Sequence, residues 1–341
     1  MFGFNGLPRA ANRRGRTMRT GYLQRAMVLG MAVCVAQIAC AQNYPAKPIR
    51  FYTPYPPGGT TDILARLVGA KMHEAWGQPV IIEAKPGAGG NIGADFVAKS
   101  PPDGYTILMG ASGPLAINAS LFSKLPYDPV KDFAPVVLSA SVPLVLVTHP
   151  TLPVKSVKEF VALMKARPGQ FNYASAGPGS PQHLTAEMFK FMAKVEMTHI
   201  PYKGSGPAIV DLIGGQIPFA FESMIPILPH VKSGKLRGLA VTSKQRSPVL
   251  PDVATVDATG VPGFESIAWY GVVAPAGTPK DIVVKLNAEM VRIANLPDIK
   301  QRLIEMGSPP VAGTPDQFAA LIRSEIPKWG KVVKQANVSL D

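Results

Sequence analysis

From residue 49 onward, short β-rich runs alternate with stretches whose apolar residues recur every three to four positions. "IRFYT" leads into a helical pattern from about residue 61, "PVIIEA" into one from Asn91, and "YTILMGA" follows. After residue 150 the order returns: a helix over "SVKEFVALMKA", then "FNYASAG", a helix from Ser180, "MTHIPY", a helix from about 205, "PFAFES" and "RGLAVTS". Strand, helix, strand in succession predicts a parallel sheet covered by helices, an α/β fold. A chain of 341 residues that is 47% hydrophobic exceeds what one compact lobe usually holds, so two such lobes are expected. The halves repeat an architecture without repeating a sequence. Ser156 with Glu159 predicts a capping box, and Thr278-Pro279 and Thr314-Pro315 predict the starts of two long terminal helices.

The first 41 residues form a separate case. They hold six arginines and no acid, then the apolar run "AMVLGMAVCVAQIA", ending in Ala39-Cys40-Ala41. A basic flank before a short apolar run reads as a secretory signal peptide cleaved after Ala41. A membrane-spanning helix would need about 20 apolar residues. Cys40 could alternatively carry lipid, although Gln37 stands where that signal wants Leu or Val. Both cysteines, Cys34 and Cys40, lie in this leader, so the mature chain would have no disulfide, thiolate or cysteine-zinc chemistry. Without the leader's six arginines, 29 basic residues face 22 acidic ones, a balance of +7 instead of +13. The charge is dispersed and lacks the basic clusters of a nucleic-acid surface, so no nucleic-acid partner is expected. It suits an anionic partner or a solvated surface equally.

Between the first strand and its helix stands "PYPPGGTTD", residues 54–62, and between "FNYAS" and the next helix stands "AGPGSPQHL", residues 176–184. A turn from a parallel strand into a helix brings unpaired backbone N–H groups to the carboxyl edge of the sheet. Glycines allow a ligand close to the backbone, and an anion gains from the helix N-terminus. Two such turns facing each other would suit a small, doubly charged acid. Taken singly, a Gly-Pro turn is also plain punctuation.

The chain resembles the receptors of tripartite tricarboxylate transporters, the TctC-like or Bug-type solute-binding proteins. The resemblance runs through "YPAKPIRFYTPYPPGGTTDILAR", "GQPVIIEAKPGAGGNIGADFVAKSPPDGYTIL", "PGQFNYASAGPGSPQHLTAE", "HIPYKGSGPAIVDLIGGQI" and "WYGVVAPAGTP" in order. It implies a type II periplasmic binding protein fold: two α/β lobes, two crossing segments and a ligand cleft between them. It also implies a monomer in the periplasm that captures a small carboxylate and meets membrane transporter subunits transiently, without catalytic residues, metal or cofactor. Lobe 1 is expected from residues 43–141 and 268–341, and lobe 2 from residues 142–267.

Carried onto this chain, the resemblance assigns ligand binding to Tyr55, Gly58, Gly59, Thr60 and Thr61 in the first turn. Gly177, Gly179, Ser180 and His183 belong to the second, Ser112 and Gly113 to "GASG", and Tyr202, Glu222 and Ser223 to the far wall. The family usually has Phe at the position of Tyr55 and commonly Asp at that of Glu222, departures that bear on ligand choice. Tyr55, Tyr202 and the Glu222-Ser223 pair are expected to read the part of the ligand beyond its carboxylate.

Other chemistry fits less well. "GAGGNIG", residues 87–93, has the wrong spacing for a dinucleotide turn and follows the second strand. "YASAG" and "GASGP" each miss a nucleophile elbow by one glycine. The five histidines make no i, i+4 pair and have no cysteine partners for a metal. A hydrolytic or dinucleotide-dependent enzyme and a sensory receptor remain the alternatives. Trp269-Tyr270 is either core or cleft wall.

Overall fold

The computed structural model describes residues 44–339 together with Gly3, and the unit carrying every element below begins at Lys47. The expected leader with Cys34 and Cys40 lies, apart from Gly3, outside the described residues. The chain opens with β1 (Ile49–Thr53), α1 (Thr60–Trp76), β2 (Val80–Ala84), α2 (Asn91–Ala98), β3 (Thr106–Ala111) and the short α3 (Asn118–Leu121). A strand of sixteen residues, β4 (Phe133–Thr148), leads into α4 (Val157–Ala166), β5 (Asn172–Ser175), α5 (Pro181–Ala193), β6 (Thr198–Pro201) and α6 (Ser205–Ile213). Next come β7 (Phe219–Ser223), α7 (Met224–Lys232), β8 (Arg237–Val241), β9 (Ala254–Thr255) and α8 (Val256–Thr259). The chain closes with β10 (Ile267–Pro275), α9 (Lys280–Ala294), α10 (Pro297–Glu305) and α11 (Pro315–Gln335).

The expected parallel cores are present: β1 pairs in parallel with β2 and β3, and β5 with β6 and β7. The sheet as a whole is mixed, because β10 runs antiparallel between β3 and β4. Long β4 joins the two parallel groups. Its pairing with β10 ends at Pro143 opposite Ile267, and from Leu144 onward it lies between β7 and β8. Neither antiparallel strand follows from strand-helix alternation, since both are return connections set by tertiary pairing.

Each parallel group has its own apolar core. Tyr52, Leu108, Trp269 and Phe318 pack in the first, where α11 crosses the sheet. In the second, Phe160 meets Phe219 edge-on at 4.8 Å, and Phe189 lies against Phe221 and Phe264, arrangements that add to simple area burial. Trp329 and Val333 of α11 also pack on Leu184 of α5. Trp269 is settled as core, its indole donating to buried Glu325 at 3.2 Å alongside that of Trp329 at 2.9 Å.

Local signals fared unevenly. Thr314 forms a full capping box with Gln317. Ser156 accepts from Glu159 N, but the Glu159 carboxylate receives the Lys155 N–H, giving half a box. Thr278 does not cap: its hydroxyl turns back to Pro275 O at 2.7 Å and α9 starts one residue after Pro279. The expected pair of terminal helices becomes three, because Pro297 starts α10 immediately after α9. In residues 87–93 the glycines serve close packing, since a Cβ on Gly89 would collide with Pro178 O and one on Gly93 would lie 2.7 Å from Lys85 O.

Candidate functional site

Tyr55, Gly59, Thr60 and Thr61 from the β1–α1 turn line a narrow cavity together with Ala176, Pro181 and Gln182 from the β5–α5 turn, Ser205 at the start of α6, and Tyr270 from β10. Three helices thus begin at one small space, and no Lys or Arg lines it. Aligned peptide dipoles and unpaired amides make that convergence electropositive without a cation.

The first turn is held in shape yet leaves its donors open. Thr53 Oγ1 donates to Tyr55 O at 3.0 Å, and Asp62 accepts the Gly58 N–H at 3.1 Å while pairing with Arg66 at 2.8 Å. Gly59 caps α1 in an extended conformation and brings no side chain to the exposed amides. Ile63 N returns to Gly59 O, so the N–H groups of Thr60, Thr61 and Asp62 have no intrahelical partner. Thr61 Oγ1 is buried without a partner as well. Tyr55, expected to meet ligand, is buried with its hydroxyl donating to Gly89 O at 3.0 Å, and burial raises its pKa far above the usual tyrosine value. It lines the cavity.

The second turn satisfies most of its own donors. Gly177 N donates to Ser175 Oγ at 3.0 Å, Ser180 N to Gly177 O at 3.1 Å, and Gly179 N to His183 Nδ1 at 3.2 Å. Ser180 caps α5 by accepting from His183 N. His183 stacks on His199 at 4.2 Å, and Ser175 bonds the His199 ring at 2.6 Å. Burial depresses both imidazoles, His183 to about 4 and His199 to about 3, so Nδ1 of His183 stays an acceptor at neutral pH. These three amides are therefore engaged, whereas the N–H groups of Ala176 and Gln182, both cavity-lining residues, have no partner in the chain.

What the second turn does instead is meet the first group of elements closely. A Cβ on Gly179 would collide with Asn118, and one on Gly113 would lie 2.7 Å from Gly179 O and 3.0 Å from Tyr55 OH. Gly58 and Gly206 approach to 3.6 Å by the same measure, and Gly204 packs on Pro56. Ser112, in "GASG", keeps a buried hydroxyl without a partner.

On the far wall, Glu222 is completely buried and stands behind the cavity lining. Its Oε1 accepts from Gln182, Ser205 and the Ser223 amide, and burial raises its pKa. Ser223 Oγ receives the hydroxyls of Thr60 at 2.8 Å and Tyr270 at 3.4 Å, tying the two parallel groups together at the cavity. Tyr202 points its hydroxyl to Asp211 at 2.6 Å, and burial, reinforced by that bond, lifts its pKa to about 12. Gln182, Ser205 and Tyr270 are wall residues that sequence reasoning did not single out as site residues. Ser205 carried a signal, a small polar residue after Gly204 at a helix start; Tyr270 had been weighed as core or cleft wall and lines the cavity, and Gln182 carried no signal. Among the described residues no cluster of His, Cys, Asp or Glu is arranged to hold a metal, and no helix is long and apolar enough to cross a membrane.

Comparison with known proteins agrees with this architecture. The model of the tripartite tricarboxylate transporter family receptor matches residues 64–338. BugT of Bordetella pertussis is 41% identical over 317 residues, covering 92% of this chain and 97% of that protein. Among solved structures, R. palustris Rpa4515 with adipate has a TM-score of 0.85 at 38% identity, covering 87% of this chain and 99% of the other. MatC (Rpa3494) from Rhodopseudomonas palustris with bound malate has a TM-score of 0.82 at 36% identity, covering 85% and 100%.

Proposed function

The chain belongs to the tripartite tricarboxylate transporter receptor family, and we propose that it captures a small carboxylate in the periplasm and delivers it to a membrane transporter of that type. One observation carries the reading: Thr60 and Thr61, whose amides have no intrahelical partner, line a cavity that holds no basic side chain. Backbone donors at a helix start bind a carboxylate without an arginine. Relatives with the same fold hold adipate and malate, which supports this class of ligand. The family's periplasmic character supports export through the leader of residues 1–41, with cleavage before the folded unit.

The register of β4 supports a division into lobes of residues 43–141 with 268–341, and residues 142–267. Strand β4 passes between the groups at Pro143–Leu144, and β10 is rejoined after Ser266, whose N–H bonds Thr242 O at 3.0 Å. Two strands crossing between lobes form a hinge about which such receptors close. Isothermal titration and thermal shift of the mature chain against adipate, malate and succinate test the reading. A ligand at a hundredfold excess over Kd should stabilise the fold by about 2.7 kcal/mol. No response to any carboxylate overturns it. Loss of uptake when the gene is deleted, restored by the native chain and not by a binding-dead variant, tests delivery.

A further inference from the structure

Gln182 and Ser205 stand on the cavity wall, and both are held by Glu222 behind them. Glu222 Oε1 accepts the Ser223 backbone N–H at 2.7 Å, the Ser205 hydroxyl at 2.9 Å and Gln182 Nε2 at 2.8 Å. A backbone N–H only donates, so Oε1 is an acceptor and the Gln182 atom facing it is the amide nitrogen. The Ser205 proton is directed to Glu222, so the Ser205 oxygen receives the second amide hydrogen of Gln182 at 3.0 Å. Both amide hydrogens are then engaged. The remaining polar atom of that side chain is its carbonyl Oε1, an acceptor only.

We infer that Glu222 sets the polarity of this wall: by fixing Gln182 with its carbonyl left for the ligand, it makes the receptor select carboxylates that also carry a hydrogen-bond donor, a hydroxyl or an ammonium. The inference rests on the carboxylate reading above. The cavity lining thus combines donors, the amides of Thr60 and Thr61 that lack an intrahelical partner, with the acceptor Oε1 of Gln182. An acid without a donor leaves that carbonyl desolvated and unpaired, and sites with a committed polar group discriminate strongly against the analogue lacking its match. Glu222 is a positioning residue, since it does not line the cavity. Gln182 determines specificity.

Succinate, malate and aspartate share one four-carbon diacid skeleton and differ at C2 by hydrogen, hydroxyl and ammonium. Calorimetric titration of the mature native chain should give malate or aspartate at least tenfold tighter binding than succinate or adipate. Gln182→Met should bring that ratio below twofold, because the carbonyl that penalises succinate is gone. Glu222→Met should collapse the ratio in the same way by releasing the amide, whereas Glu222→Gln keeps an acceptor at the same place and should preserve it.

Equal binding of donor-free and donor-bearing acids by the native chain overturns the inference and leaves the carboxylate reading standing. Survival of the ratio in Gln182→Met overturns it too. Collapse in Glu222→Gln would make the glutamate charge itself the contact and overturn the positioning role. Should Glu222→Met fail to fold, the native ratio and Gln182→Met still decide. No binding of any of the four acids by the native chain overturns both readings.

Discussion

The turns at residues 54–61 and 176–181 are made from the same materials, glycine, proline and hydroxyl side chains between a parallel strand and a helix, yet the amides of their glycines and helix starts end largely in opposite states. In the first, α1 begins behind a glycine without a capping side chain, and three N–H groups stay open. In the second, Ser175, Ser180 and His183 fold back onto the N–H groups of Gly177, His183 and Gly179. A helix start binds an anion only if its own sequence does not already supply the acceptors. The first turn is therefore a donor surface, and the second is a rigid face against which Gly89, Gly113 and Asn118 pack.

The largest break in this comparison is expected from Gly59→Val. Gly59 has φ of −92°, which any residue adopts, and an added Cβ would lie at ordinary contact distance, 3.6 Å, from Ser205. The protein should fold with a near-native Tm while the branched methyl groups fill the approach to the amides. Carboxylate affinity should fall at least a hundredfold, about 2.7 kcal/mol; affinity within threefold of native would show that the ligand does not approach this backbone. Gly179 does not offer the matching experiment, because its φ is +77° and a Cβ would meet Asn118. Substitution there disturbs the fold itself.

Acid should attack the second turn selectively. His183 and His199 are depressed from 6.5 to about 4 and about 3, chiefly by burial. The folded state then binds fewer protons than the unfolded chain between these values and 6.5. Their contribution is complete above pH 6.5 and is lost as pH falls through that window. Between pH 7 and pH 5 each histidine acting independently should withdraw about 2 kcal/mol. Chemical denaturation at the two pH values measures this, and His183→Gln should flatten the dependence. An unchanged slope in that variant would remove His183 from the account.

The smallest effects separate the turns most cleanly. Ser175→Ala leaves the Gly177 N–H without its acceptor, so stability should drop by about 1 kcal/mol with little change in ligand affinity. Thr61→Val removes a buried hydroxyl that has no partner in the chain, so stability should hold or rise while affinity falls severalfold. If the two variants exchange these signatures in paired titration and unfolding measurements, the roles assigned to the turns are reversed.

Much of the fold was legible because period and punctuation are local. The strands "IRFYT", "PVIIEA", "YTILMGA" and "FNYAS" appear where the alternation placed them, and the Thr314 cap formed as written. Thr278 failed as a cap because the helix starts at Lys280, which puts Pro279 at the cap position and leaves the Thr278 hydroxyl donating to Pro275 O. The candidate site was legible as two glycine turns, but their difference was not. Whether Gly179 N is open depends on the His183 ring, one helical turn away and kept neutral by its burial beside His199.

The sequence by itself determined the α/β alternation, several of the places where helices begin, and the absence of cysteine chemistry beyond residue 41, since each depends on neighbours within a few positions. Tertiary structure decided what the begun helices present to one another. Gln182 and Glu222 are separated by 40 positions and Thr60 and Ser223 by 163, yet they bond at 2.8 Å. Hydrogen bonds are exclusive, so which donors and acceptors remain for a ligand is fixed only after every competing partner has been brought within reach, and that proximity is a property of the closed fold rather than of any segment.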